Sequence, residues 1–275
     1  MSRSSTHTLA LSYESLVFSW GSAQNGELGL GESVGAFVSE PKCIESLRNR
    51  NIVSICAGNG FSVFVSKNGL VMTCGHHLSG CLGRADTSSC FTPKLVDSLL
   101  SADVSCLSCG PNHISVVTGE GRVYSWGNNS DGRLGINLNK LLVEIPTNVV
   151  FPEGVVIKNV FCGYDSTAFI DQNGSVWVSG SNHSNKLGLN ERTAFRTIKV
   201  THQSIPMKLR SIKHRVHSVS LGKTHSSFVI EGGKVITTGS NSDAQLGLGH
   251  VRPSFKNNLV RQLAEQTIVV SYYCL

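Results

Sequence analysis

Five times along this chain a glycine is followed seven residues later by Leu-Gly, and the five copies share one register. The anchor glycines are Gly21, Gly75, Gly127, Gly180 and Gly239, and their Leu-Gly pairs end at Gly29, Gly83, Gly135, Gly188 and Gly247. Successive anchors lie 54, 52, 53 and 59 residues apart. Another glycine stands 17 residues before the anchor in four copies, at Gly58, Gly110, Gly163 and Gly222. Valine always stands four before it, at Val17, Val71, Val123, Val176 and Val235. Six before it comes Gly69, Gly121, Gly174 or Gly233, with Ser15 in the first copy. All length variation falls between a Leu-Gly and the next early glycine, as expected of a rigid unit joined by tolerant loops.

Within each copy the local pattern is β. A short apolar run such as Val53 to Ala57 ends at the early glycine, and an alternating run such as Phe61 to Val65 follows. Asn68-Gly69 and Asn173-Gly174 then supply turn residues that tolerate positive φ, and Val71 to Cys74, Val123 to Trp126 and Val176 to Ser179 form a third strand. A fourth run starts at a proline, Pro41, Pro93 or Pro146, a residue suited to a strand's first position or an edge. Four short strands repeated every ~50 residues predict an all-β fold, a β-propeller with about five blades. The expected units are 1–47, 48–99, 100–151, 152–210 and 211–263, with the start of a further unit at 264–275, in one domain spanning 1–275. Trp20, Tyr124, Trp126, Trp177 and the column valines are expected to pack between blades.

Composition sets limits without naming a function. With 275 residues, 40% hydrophobic and 15% charged, the chain can bury a substantial core. No run of 18 apolar residues and no basic-then-apolar N-terminal signal is present, so neither membrane insertion nor secretion is expected. Nine cysteines, an odd number, read as free thiols in a reducing compartment. The sequons at Asn128, Asn173 and Asn182 then carry no meaning.

Val-x-x-x-Gly with Leu-Gly seven residues on, preceded by Gly-x-x-His, resembles the repeat of the regulator of chromosome condensation family. Val123 to Gly135 and Leu221 to His225 carry the likeness, which runs from about residue 7 to about residue 250. Within that family, Ser181 to Asn190, the long loop after it, Leu221 to His225 and Gly80 to Gly83 resemble the C-terminal propeller of NIMA-related serine/threonine kinases. The resemblance implies a propeller that regulates or localises a kinase, and a cytoplasmic pool with centrosomal or ciliary association. It also implies closure with seven blades. The first copy begins mid-unit, with His7 fourteen before Gly21, and the last run, Ile268 to Ser271, is cut short, so the expected array is an incomplete ring prone to self-association.

Motifs of catalysis are absent. There is no His-Arg-Asp or Asp-Phe-Gly triplet, and Gly58-Asn59-Gly60-Phe61-Ser62-Val63 lacks the third glycine of a kinase loop. Gly222-Lys223-Thr224 has His217 where a phosphate loop needs glycine. Cys106-x-x-Cys109 and His214-x-x-His217 have no second pair at ligand spacing, and Cys109 shares a repeat column with Ala57, Cys162 and Leu221, which marks a buried apolar position. His7, His113 and His225 share the column fourteen before the anchor and are expected to satisfy backbone groups within a blade. No cofactor, metal or catalytic residue is expected.

One feature is not absorbed by the repeat. Lys186, Arg192, Arg196, Lys199, Lys208, Arg210, Lys213 and Arg215 face a single acid, Glu191, giving a local charge of +7 in the longest copy. The rest of the chain has 16 bases and 17 acids. Two readings stay open: a solvated loop, or a projecting site at 190–217 that binds an acidic or phosphorylated protein in a salt-sensitive way. With Phe195 the only aromatic there, nucleic acid is not the expected partner. Function likewise divides between a non-catalytic interaction module and a guanine-nucleotide exchange factor for a small GTPase. Exchange would draw on the anchor-loop acids Glu27, Asp131 and Asp243, and no inserted wedge outside the basic loop supports it.

Overall fold

Each copy of the repeat folds as a four-stranded antiparallel sheet. The computed structural model describes residues 1–85, 88–192, 197–254, 256–263 and 265–269. Among them the first sheet comprises β1 (Ser2–Arg3), β2 (His7–Leu11), β3 (Val17–Ser22) and β4 (Phe37–Cys43). The second comprises β5 (Ile52–Ala57), β6 (Phe61–Ser66), β7 (Val71–Gly75) and β8 (Cys90–Leu95), and the third β9 (Val104–Cys109), β10 (His113–Thr118), β11 (Val123–Asn128) and β12 (Leu142–Val149). The fourth begins with β13 (Ile157–Cys162), β14 (Ser166–Asp171) and β15 (Val176–Ser181). A separate two-stranded hairpin, β16 (Glu191–Arg192) and β17 (Thr197–Ile198), precedes its outer strand, β18 (His202–Lys208). The fifth sheet is β19 (Val216–Leu221), β20 (His225–Ile230), β21 (Lys234–Gly239) and β22 (Asn258–Leu259).

The anchor glycine holds each sheet in shape. It pairs with the residue fourteen earlier, as in His7 with Gly21, Phe61 with Gly75 and Ser166 with Gly180. Its φ lies between 101° and 115° in all five copies. The following amide donates to the carbonyl fifteen before the anchor, at 2.8–3.0 Å, as Ser22 does to Thr6 and Ser181 to Asp165. A Cβ on any anchor would stand no more than 2.7 Å from that same carbonyl oxygen. Positive φ and close backbone approach therefore both select glycine.

Cores lie between consecutive sheets. Leu9, Val17, Ile52, Phe64 and Met72 join the first sheet to the second, and Phe61, Val63, Val71, Val104, Ile114 and Trp126 join the second to the third. Strand β6 thus divides its side chains by parity between two neighbours, so every one of its residues is buried. Ala168, Val176, Val178, Val219 and Phe228 join the fourth sheet to the fifth. The described residues form two compact units, 1–129 with 138–148, and 130–137 with 149–269.

Several local expectations are corrected. The hairpin turns take three residues, not two: Gly69 N–H donates to Ser66 O at 2.9 Å and Ser66 N–H to Leu70 O at 3.0 Å, with positive φ at Gly69 alone. That is a type I turn closed by a left-handed glycine. Pro41, Pro93 and Pro146 lie inside β4, β8 and β12, outer strands whose missing N–H is tolerated, and Pro41 falls where the register shifts against β3. Of the aromatic residues, Trp126 is fully buried between sheets with Tyr124 beside it. Trp20 instead packs on a satellite cluster of Ala23, Leu28 and Val38, and Trp177 meets the Phe151 ring edge-on at 5.9 Å.

Candidate interaction surface

The basic stretch does not form one projecting loop. Lys186 leaves it altogether: its side chain is fully buried, ion-paired with Asp165, and its Nζ donates to Lys223 O at 3.2 Å. Burial pushes its ammonium below the ordinary lysine range, against the hydrogen bond it donates to Asp165. Residues 202–208 are strand β18, hydrogen-bonded to β15, and Leu209 is buried behind it with its N–H on Val176 O. Lys208, at the end of β18, lies over the Trp177 ring with its Nζ 5.9 Å from the centroid. Trp177 is itself held by Nε1 donating to Asp171 Oδ2 at 3.1 Å and by the Phe151 edge, which also meets Phe169 at 5.3 Å. The strand therefore presents Lys208 on a fixed aromatic base.

From there Arg210, Lys213 and Arg215 follow on the exposed connection into β19. Arg215 lies against Gly174 in the turn between β14 and β15. Lys199 is exposed after β17, and Arg192 lies in β16, while Arg196 falls outside the described residues. Among the described residues, Lys199, Lys208, Arg210 and Lys213 have no carboxylate partner; Glu231 meets His214 at 3.0 Å at the far end of the connection. An exposed cationic strip on the outer strand and its exit remains.

A second group lies on the loops of the same unit. Lys223 Nζ stands 5.5 Å from the centroid of Tyr164, which is 44% exposed, and Tyr164 O accepts from buried Arg133 at 3.4 Å. Of the anchor-loop acids, Asp131 and Asp243 are exposed. Glu27 is buried, and its carboxylate accepts from Asn25 N–H at 2.8 Å, so it belongs to its own turn.

In the histidine column, His7 differs from expectation. His7 Nε2 lies 2.8 Å from Ser62 Oγ and Nδ1 2.9 Å from Ser4 Oγ, so it contacts hydroxyls, one of them on the neighbouring sheet. Ser62 Oγ already donates to Glu27 O at 2.6 Å, which leaves Nε2 as the donor in that contact. Burial lowers its pKa from 6.5 to about 4, with Glu27 opposing.

The sequence profile of the RCC1-like domain matches residues 1–274. The chain belongs to the RCC1-like domain family. Its RCC1-like relatives include serine/threonine-protein kinase Nek9 of Xenopus laevis, 33% identical over 268 residues. That match covers 92% of this chain and 28% of Nek9, so the chain spans less than a third of that relative's length. Human WBSCR16 superposes with a TM-score of 0.79 at 19% identity, over 93% of this chain and 65% of the other. Prp20p of Saccharomyces cerevisiae, described for its binding to Gsp1p and histones, superposes with a TM-score of 0.66 at 21% identity, over 94% and 76%. At those identities the likeness is one of fold.

Two columns of this RCC1-like repeat escaped the sequence reading although each leaves a mark in it. Two before the anchor stands Ser19, Thr73, Ser125, Ser179 or Thr237, and Ser19, Thr73 and Thr237 donate to the leucine carbonyl of their own Leu-Gly at 2.6–2.9 Å. Two after it, Asn129, Asn182 and Asn241 clamp the next loop through its carbonyls; Asn182 Nδ2, for example, donates to Val200 O at 2.7 Å. Asn182 is buried in that role, which removes it as a glycan site. Hydroxyl and amide columns read as ordinary polar residues until their carbonyl partners are placed opposite them.

Proposed function

We propose that this chain is a non-catalytic interaction and regulatory propeller of a NIMA-related kinase or a related scaffold, and that it takes an acidic or phosphorylated protein segment on the strip from Lys208 to Arg215. The exposed cations Lys208, Arg210 and Lys213, without carboxylate partners among the described residues and with Lys208 seated on Trp177, carry this reading. Neighbouring positive charges there raise the local concentration of an acidic segment and strengthen each contact it makes. The kinship with Nek9 supports the kinase context, and with it a cytoplasmic, centrosomal or ciliary setting. Among the described residues no helix is long and apolar enough to cross a membrane.

The exchange-factor alternative draws support from the fold shared with Prp20p, and Glu27 does not contribute to a carboxylate face for it. The two readings separate by direct measurement. Phosphoserine-rich and polyglutamate peptides should bind in fluorescence anisotropy, weaken as the Debye length falls from ~10 Å at 0.1 M salt to ~3 Å at 1 M, and be lost in the Lys208→Glu, Arg210→Glu, Lys213→Glu triple variant. Unchanged binding by that variant overturns the proposal. Accelerated nucleotide release from a panel of small GTPases would favour exchange instead.

A further inference from the structure

We propose that Cys56 and Cys109 form an oxidation site, in which a peroxide converts the two thiols into a disulfide joining the second and third sheets. The two residues come together through the repeat. Cys56 is the penultimate residue of β5 and Cys109 the last of β9, the first strands of consecutive sheets. The Cys109 amide donates to Cys56 Sγ at 3.2 Å, and the Cys109 thiol is also in hydrogen-bond reach of that sulfur. That contact sets the Cys56 sulfur against the Cys109 backbone and thiol on the first strands of two adjoining sheets, so rotation of the two side chains toward each other is the motion a disulfide calls for.

The surroundings also separate this thiol from its neighbours. Cys56 keeps partial exposure as a residue although its sulfur is enclosed, whereas Cys74 and Cys81 are fully buried throughout. Hydrogen bonds from the Cys109 side chain and amide, with a further one from Ser2, hold the Cys56 thiol below its ordinary pKa against the effect of burial. Burial pushes Cys74 well above the ordinary thiol range, and burial and Glu45 raise Cys43. Thiolate character and access together make a cysteine oxidisable. Cys106, the other half of the Cys-x-x-Cys pattern, is not needed.

The chemistry balances with hydrogen peroxide as oxidant. The Cys56 thiolate attacks one peroxide oxygen, the O–O bond breaks, and hydroxide departs to take up the thiol's proton as water. Cys56 is then a sulfenic acid. The Cys109 sulfur attacks the Cys56 sulfur, an S–S bond forms as the S–O bond breaks, and the leaving hydroxide takes the Cys109 proton. Two thiols and one peroxide yield one disulfide and two waters.

The test treats the reduced full chain with hydrogen peroxide, alkylates the remaining thiols and maps peptides without reduction. The expected product is a cross-linked pair of peptides containing Cys56 and Cys109, lighter by two hydrogens and released by dithiothreitol. In Cys109→Ser, whose hydroxyl keeps a donor beside the Cys56 sulfur but cannot form a disulfide, dimedone should trap Cys56 as a sulfenic acid adduct. In Cys56→Ser neither product should form, and Cys74→Ser should behave as the parent. Full alkylation of both cysteines after peroxide, a Cys56 or Cys109 disulfide to another cysteine, or no dimedone adduct at Cys56 in a folded Cys109→Ser chain would overturn the proposal.

Discussion

At the anchor glycines, backbone conformation and crowding act together, and two substitutions separate them. Gly154 has φ 79° with nothing within 4 Å of an added Cβ, so Gly154→Ala tests conformation alone and should cost about 1 kcal/mol. Gly180 has φ 101°, and its added Cβ would meet Asp165 O at 2.5 Å, so Gly180→Ala should cost about 3 kcal/mol or more. Urea midpoints at equal m-values report the difference. His7 supplies a pH dependence of known sign. Its native pKa near 4 lies below the unfolded value of 6.5, so its contribution is complete above pH 6.5 and is lost as pH falls through 4. The unfolded chain binds the proton first, and up to about 3 kcal/mol is at stake. His7→Phe, which repeats in the first copy the side chain of Phe61 in the same column, should flatten the part of the stability profile between pH 4 and 6.5.

At the level of strands, the fourth sheet shows how far charge counting reaches. Lys186 counted as part of a cationic loop, because nothing nearby in sequence announces Asp165, twenty-one residues earlier, as its partner. The long connection was legible as an insertion, whereas its division into the β16–β17 hairpin, the outer strand β18 and an exposed exit depended on pairing with β15. The buried pair carries its own prediction. Asp165→Asn leaves an ammonium in a fully buried position with its Lys223 carbonyl contact but no counter-charge, and should cost about 3–5 kcal/mol. A fall in the thermal midpoint checks it. A loss smaller than that of an exposed pair such as Arg48–Glu45 would contradict the assigned role.

For the molecule as a whole, stability in a repeat array is carried by neighbouring interfaces. The two compact units each hold their own inter-sheet cores, Phe61 to Trp126 in the first and Ala168 to Ile236 in the second. Hydrogen exchange should therefore register Asp165→Asn unevenly, with protection falling across β13–β15 and β19–β21 while β5–β7 and β9–β11 keep theirs. An equal loss in every sheet would show the chain opening as one cooperative body.

The register of glycines, valines and Leu-Gly pairs was enough to locate five sheets and their hairpins, because positive φ, tight backbone approach and the period of two are local demands that only certain residues meet. The same local logic identified the columns but not their partners. Ser62 faces both His7 and Glu27 O, Asn182 reaches Val200 O, Lys186 meets Asp165 and Cys56 meets Cys109, and each of these pairings joins residues that only folding brings within hydrogen-bond reach. Whether a hydroxyl, amide, ammonium or thiol is a surface group or a buried one with a shifted pKa depends on the sheet packed against it, and that was decided by tertiary structure alone.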